Sequence, residues 1–217
     1  MNLMICATAS RLAPPIANDN IAVDILSYAI AETGLGRILV ARSIKGVCAI
    51  LIGADDDALQ ADLASRFPQA KLVANDAFVR SDLAEVIRFV DEPANGLRLT
   101  LDMRGTPLQR RIWEKMRAIP VSKTIGCLEL ARWVGPLTSA RVIDRACAAN
   151  PIALAIPCHH VNRGDGELVR GRWDVKRKRE LLVREQRSEI SQPVRERDPQ
   201  NAIAASNAII ASAATRQ

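Results

Sequence analysis

The sequence has few of the residues from which metal sites, disulfide frameworks and membrane spans are built. Its 217 residues include two histidines and five cysteines, and the cysteines are spaced too widely for a CxxC metal motif or a paired framework. No apolar run approaches the ~20 residues of a membrane span. Residues 1–20 lack the charged-then-apolar pattern of a secretory signal. We therefore expect a cytoplasmic protein with reduced thiols and no metal or cofactor.

Charge is divided unevenly along the chain. Residues 1–96 carry 8 Lys and Arg against 12 Asp and Glu, whereas residues 97–185 carry 18 against 9. A basic second half is typical of a phosphate-binding surface. An ordinary solvated surface can have the same composition, so charge alone does not decide between the two.

The first half has the pattern of a small sheet with helices. Short alternating segments at 26–32, 37–43 and 47–53 are separated by glycine-containing turns and predict three strands. A helix is predicted over 55–67, with Ala58, Leu59, Leu63 and Phe67 on its buried side, then a strand over 71–74 and a helix over 76–90. The aspartates at 55–57 could bind a metal, but carboxylates in a first helical turn are ordinary. We expect a sheet-and-helix amino-terminal domain over 23–97, after a leader or linker over 1–22.

The second half predicts helices, so the whole chain is expected to have an α+β fold. Thr106, Pro107 and Gln109 have the spacing of a capping box that opens a helix. Helices are also predicted over 128–134 and from Thr138 or Ser139 to about residue 149, which together would form a helix-turn-helix. Such pairs also occur in proteins that never touch DNA. We expect this domain to span 98–186 and a disordered tail to span 187–217.

The most informative stretch places Cys158 directly before His159. The nearly continuous apolar run over 151–156 predicts a buried extended segment leading to Pro157 and the thiol. Burial by itself favours the neutral thiol, which is a poor nucleophile, but a neighbouring imidazole can take the proton directly or through a water. Both histidines of the chain follow this cysteine. The alternative is a small buried apolar side chain beside a surface histidine.

Four segments together resemble one family. They are 105–113 (GTPLQRRIW), 146–151 (ACAANP), 156–159 (IPCH) and 172–185 (RWDVKRKRELLVRE). In this order and spacing they are similar to the methyl-accepting half of O6-alkylguanine-DNA alkyltransferases, above all to the alkyltransferase portion of Ada-type adaptive-response proteins. The similarity extends more weakly back to about residue 26.

The resemblance implies a function and a role for particular residues. Cys158 would accept an alkyl group from O6-alkylguanine in duplex DNA, His159 would be the base, Glu185 would orient it, and Asn150 would be a hinge. Because the duplex hides O6 of guanine, the nucleotide must leave the stack, and Arg141 would fill the gap. The product is a thioether, so one chain acts once. Further DNA contacts are expected at Cys127, Arg145, Thr124 and Ser139, and a substrate pocket at Pro157, Val161, Gly171, Arg172 and Trp173.

The sequence also departs from the family pattern around this expected pocket. His160 replaces the arginine of the usual PCHR motif, Cys127 replaces a tyrosine and Gly126 a serine, and the loop 170–174 (RGRWD) replaces Gly-Tyr-Arg-Trp-Gly. These departures imply either a transferase that is slow or unusual in substrate, or a non-catalytic DNA-binding regulator or lesion sensor of the same descent. A thiol hydrolase is a third reading, which the lack of an oxyanion-hole motif disfavours. We expect a monomer that binds duplex DNA containing O6-alkylguanine and no membrane.

Overall fold

A computed structural model describes residues 23–164, 166–169, 171 and 173–191. Its amino-terminal half contains a four-stranded sheet of strands β1 (Ile25–Thr33), β2 (Gly36–Ser43), β3 (Gly46–Gly53) and β4 (Lys71–Ala74), in the order β3-β2-β1-β4. The first three strands are antiparallel neighbours, and β4 runs parallel to β1. All four predicted strands are confirmed to within one residue at each end.

Two helices belong to this half, α1 (Asp56–Arg66) and α2 (Asp76–Asp91). Asp55 caps α1 by accepting from the backbone N–H of Ala58 at 2.8 Å, as its place before the helix predicts. Leu59 and Leu63 are buried against the sheet, but Ala58 is exposed, so its predicted burial is wrong. Its position next to the cap turns it toward solvent.

The second half is mostly helical, and the predicted α+β fold is confirmed. It contains α3 (Pro107–Arg117), α4 (Cys127–Val134), α5 (Ala140–Ala149) and α6 (Val175–Ser191). Thr106 and Gln109 form the predicted capping box at the start of α3. Helix α6 includes residues 187–191, so the first part of the predicted disordered tail is helical instead. The predicted leader over 1–22 and the rest of the tail, 192–217, lie outside the described residues.

One apolar core runs through both halves. Its largest cluster joins Ile38 and Ile50 of the sheet to Ile112, Leu130 and Ile143 of the helices. Backbone hydrogen bonds also join the edge strand β3 to the second half of the chain. The N–H of Ile50 donates to the carbonyl of Pro151 at 2.9 Å, and the carbonyl of Ile50 accepts from the N–H of Ala153 at 3.0 Å. The sheet therefore supports the chain segment that leads to Cys158. Among the described helices, none is long and apolar enough to cross a membrane.

Trp113 joins α3 to α5, and its replacement tests this packing. The side chain is 1% exposed, and its indole N–H donates to the carbonyl of Ala146 at 3.0 Å. We expect Trp113→Phe to lower the free energy of unfolding in urea by about 2 kcal/mol, since it leaves a buried carbonyl unpaired and a small cavity. Trp133→Phe, at a side chain that is 42% exposed, is the matched control and should cost less than about 0.5 kcal/mol. Equal losses would show that the buried indole does not join the helices.

Candidate active site and DNA-facing helix

The approach to Cys158 is a compact turn held by Asn150. Its side-chain oxygen accepts from the backbone N–H of Ile152 at 2.9 Å, and its amide donates to the carbonyl of Ile156 at 2.9 Å. A backbone bond from Ile156 to the carbonyl of Ile152 closes the turn. The run over 151–156 is buried as predicted, but the predicted extended conformation is wrong beyond Ile152. Apolar composition does not distinguish a buried strand from a buried turn, and here the asparagine amide forms the turn.

Asn150 does not adopt the left-handed backbone that is common for an asparagine at a helix end. Its φ is −63° and its ψ is 115°, which is extended, whereas Leu154 inside the turn has φ 68°. Asn150, for which the resemblance implies a hinge, therefore holds the turn through its side chain, which bonds to Ile152 and Ile156.

A single turn of 3₁₀ helix, Cys158–His160, presents the thiol and both imidazoles. It is followed by strand β6 (Val161–Asn162), which pairs in parallel with strand β5 (Ile125–Gly126). Because β5 is the segment directly before α4, backbone hydrogen bonds tie the site to the helix-turn-helix.

Both imidazoles bind one carboxylate, that of Glu185 on α6. Nε2 of His159 lies 2.8 Å from Oε1, and Nε2 of His160 lies 2.7 Å from Oε2. The backbone N–H of Ser122 also donates to Oε2 at 3.1 Å. The three side chains are buried, with 0% of His159, 2% of His160 and 1% of Glu185 exposed. The structure thus brings together the predicted base and carboxylate, next in sequence to the predicted nucleophile, and adds His160.

The pKa values of Glu185 and His159 determine which of them is charged at neutral pH. Burial by itself raises the pKa of Glu185, but hydrogen bonds from His159 and His160 outweigh it and lower the pKa to about 2. Burial lowers the pKa of His159 to about 4, in spite of the hydrogen bond to Glu185. At neutral pH the carboxylate is therefore ionised and His159 is neutral. Since Nε2 faces a carboxylate acceptor, we assign the imidazole proton to Nε2 and the free lone pair to Nδ1.

Trp173 covers the thiol. Its indole N–H donates to Sγ of Cys158 at 3.4 Å, and the cysteine is 2% exposed. The ammonium of Lys178 lies 5.5 Å from the centre of the Trp173 ring and donates to the carbonyl of Val169 at 2.8 Å. Lys178 is fully buried, and we did not predict it. In the sequence it is one of four consecutive basic residues, and a run of this kind is typical of a solvated helix face.

The predicted pocket residues are not all in one place. Gly171 and Trp173 line an open cavity of about 530 Å³ together with Asp174 and Arg177. Pro157 lines a different cavity of about 160 Å³, behind the histidines, and Val161 is fully buried. Arg172, and Arg170 before it, lie outside the described residues.

The other described cysteines have the properties of buried neutral thiols. Burial raises the pKa of Cys48 to about 12 and that of Cys127 to about 11, and it raises that of Cys147 well above its usual value. None of them follows the pattern of Cys158, whose neighbour in sequence is an imidazole bound to a carboxylate.

The second helix of the helix-turn-helix exposes its arginines. Arg141 and Arg145 are four residues apart on the exposed side of α5, while Ile143 and Ala146 on the opposite side are buried. Ser139 caps the helix by accepting from the backbone N–H of Val142, and both Ser139 and Thr124 are exposed. Cys127 is the exception among the predicted DNA contacts. It is 4% exposed, because its side chain packs in the core at the start of α4.

The fold and the site define an α+β protein in which a helix-turn-helix is joined to a cysteine with an adjoining histidine–glutamate pair. Residues 107–187 match the family model described as the 6-O-methylguanine DNA methyltransferase, DNA binding domain. This segment is similar to the O6-alkylguanine-DNA alkyltransferase family, as the motifs predicted.

Relatives and solved structures agree with this assignment. The bifunctional transcriptional activator/DNA repair enzyme Ada of Escherichia coli is 43% identical over 171 residues, which are 79% of this chain and 48% of that protein. The chain thus spans about half the length of this relative. The methylated-DNA–protein-cysteine methyltransferase of Candida albicans is 29% identical over 74% of this chain and 96% of its own length. A Mycobacterium tuberculosis OGT structure in complex with DNA has a TM-score of 0.62 at 25% identity, and covers 75% of this chain and 94% of its own.

Buried neutral His159 should make the protein lose stability in mild acid. Its pKa is 6.5 when unperturbed and about 4 in the fold, so the unfolded state binds more protons between these values. Stability is therefore lost as pH falls below about 6.5. We expect the free energy of unfolding to fall by about 1.5 kcal/mol between pH 6.5 and about 5, before most carboxylates titrate. Urea titrations across this range measure it, and a flat profile would contradict a neutral buried His159.

Proposed function

We propose that the protein repairs DNA by transferring an alkyl group from O6-alkylguanine in duplex DNA to Cys158. The observation that carries the proposal is the buried pair of Glu185 and His159, the residue after Cys158, at 2.8 Å from Nε2 to Oε1. A neutral imidazole fixed by a carboxylate is a suitable base for a thiol. The cytoplasm keeps such a thiol reduced, and the single-turnover reaction needs one chain, so we propose a cytoplasmic monomer.

The proton transfer follows from the tautomer of His159. Its Nε2–H donates to Glu185, and Nδ1, which has no hydrogen-bond partner among the described residues, can accept the thiol proton of Cys158 through one water. Glu185 stays ionised and stabilises the imidazolium that forms. The Trp173 N–H, which lies 3.4 Å from Sγ, can stabilise the thiolate by donating a hydrogen bond to it.

The thiolate then attacks the alkyl carbon. A carbon–sulfur bond forms as the carbon–O6 bond breaks, and the electron pair of that bond leaves with guanine, which takes up one proton. The thioether product has no leaving group that could restore the thiol, so each chain reacts once. Trp173 covers the thiol and also lines the open cavity beside Gly171. In this proposal the guanine enters from that cavity, and the Trp173 side chain moves aside to let it reach the sulfur.

The exposed side of α5 supplies the DNA contacts in this proposal. A guanine inside a duplex cannot present its O6 to a buried thiol, so the nucleotide must rotate out of the stack. Arg141, at the exposed beginning of α5, can occupy the gap and hydrogen-bond the unpaired base opposite. Arg145, one turn further along, is placed for a phosphate contact.

The acceptor is tested by peptide mapping after reaction with duplex DNA containing O6-methylguanine. We expect the mass of one methyl group on Cys158 and on no other cysteine, because only Cys158 adjoins the histidine–glutamate pair. Cys158→Ser should abolish transfer and keep DNA binding, with Cys127→Ser as the matched control at another buried thiol. Methylation of a different cysteine would refute the site. A folded protein that binds DNA but stays unmodified under excess lesion would instead indicate a non-catalytic regulator.

The role of Arg141 is tested by comparing two substrates. We expect Arg141→Ala to slow transfer from duplex DNA by about tenfold or more and to leave transfer from free O6-benzylguanine nearly unchanged, because a free base needs no flipping. Arg80→Ala, at an exposed arginine of α2, is the control and should change neither rate. The affinity for DNA should also fall steeply as the salt concentration rises, because basic side chains that bind phosphates release counterions from the DNA. Equal losses on both substrates would make Arg141 a structural residue.

A further inference from the structure

We propose that His159, His160 and Glu185 form a zinc-binding site, and that zinc bound there switches off alkyl transfer. The first part stands on the geometry of the three side chains. The second part rests on the function proposed above.

The three side chains already have the arrangement of a metal site. One ligand atom from each, the histidine nitrogens and a carboxylate oxygen, lies within 4.8 Å of the others. The 3₁₀ turn places the two imidazoles side by side, with ring centres 4.3 Å apart at 68°, so that both Nε2 atoms point at Glu185. Two histidines and a carboxylate are a recurrent zinc ligand set.

The site exists because residue 160 is a histidine. The arginine of the usual motif could bind the carboxylate, but a guanidinium has no lone pair for a metal. With His160, each carboxylate oxygen faces an imidazole nitrogen that can become a ligand once its proton moves. Two nitrogens and one carboxylate then leave a fourth position for water, as in an open zinc site.

Zinc binding requires a rearrangement of the three side chains. Neighbouring ligand atoms of a tetrahedral zinc ion lie about 3.3 Å apart, whereas the nitrogen–oxygen distances here are 2.8 and 2.7 Å and the three ligand atoms span up to 4.8 Å. Glu185 must therefore retreat by about 0.5 Å, and the two nitrogens must move closer together. A cavity of about 160 Å³ lined by His160 and Glu185, with Arg117 and Pro157 on other walls, provides room and a path for the ion and its water.

Proton positions explain why zinc would inhibit transfer. Because Nε2 of each imidazole faces the carboxylate, each carries a proton there, and within the described part of the chain neither Nδ1 has a hydrogen-bond partner. A metal takes the Nε2 lone pair, so the proton of the neutral His159 imidazole moves to Nδ1. Nδ1 of His159 then carries a hydrogen and can no longer accept the proton of Cys158.

The binding site is tested with metal alone. Isothermal titration of the whole protein with Zn²⁺ should give one site per chain, and Co²⁺ should give a spectrum without thiolate-to-cobalt bands. His160→Arg and His160→Gln should each weaken binding by about a hundredfold, since each removes a ligand while keeping a donor to Glu185. Cys158→Ser should bind as the unchanged protein does. Circular dichroism checks that each variant is folded.

Particular outcomes would overturn the proposal. Binding that survives both His160 variants would exclude the site, as would binding lost in Cys158→Ser or accompanied by thiolate-to-cobalt bands. No zinc binding to the unchanged protein at micromolar concentrations would exclude it too.

Inhibition is tested separately with free O6-benzylguanine. Zinc should stop transfer by the unchanged protein at the concentration at which it binds, and a chelator should restore the rate. If zinc binds at His160 but the metal-free protein transfers nothing, the proposed function fails and the metal site stands. If the metal-free protein is active and zinc binds without inhibition, only the inhibitory part is wrong.

Discussion

The carboxylate of Glu185 is the group on which the rest of the site depends. It is almost fully buried and accepts hydrogen bonds from His159, His160 and the backbone of Ser122. A buried charge without partners would cost several kcal/mol, and removing one partner of such a pair is strongly destabilising. Helix α6, the 3₁₀ turn with the thiol and the loop before the helix-turn-helix therefore hold one another in place through a single anion.

Local patterns predicted the elements well where a short sequence determines a short structure. The capping box at Thr106 and the glycine turns between strands have a direct backbone cause, and their elements lie within a residue or two of the prediction. The segment over 151–156 shows the limit. Its apolar residues predict burial correctly, but its conformation depends on hydrogen bonds from the side chain of Asn150, which hydropathy does not express.

The sequence predicted most of the individual residues of the site but not how their side chains are arranged. Cys158, His159 and Glu185 were identified through the motifs, and the structure brings the last two within 2.8 Å of each other. That His160 shares the same carboxylate follows only from the direction of two successive side chains in a 3₁₀ turn. Burial of Lys178 also depends on tertiary packing, because the ammonium reaches the carbonyl of Val169 beneath Trp173. A side chain added at Gly171 would have its first carbon 3.0 Å from the Lys178 ammonium. A tyrosine at this position, as in the usual family loop, would therefore crowd the buried lysine.

The short parallel pair of β5 and β6 has a mechanical consequence. Ile125 pairs with Val161 and Gly126 with Asn162, so backbone pairing joins the segment that leads into the helix-turn-helix to the segment that follows the thiol. This pairing restrains how far the helix-turn-helix can move relative to the sulfur of Cys158. In the proposed reaction the DNA must therefore supply most of the movement, and damaged base pairs that open easily would react first.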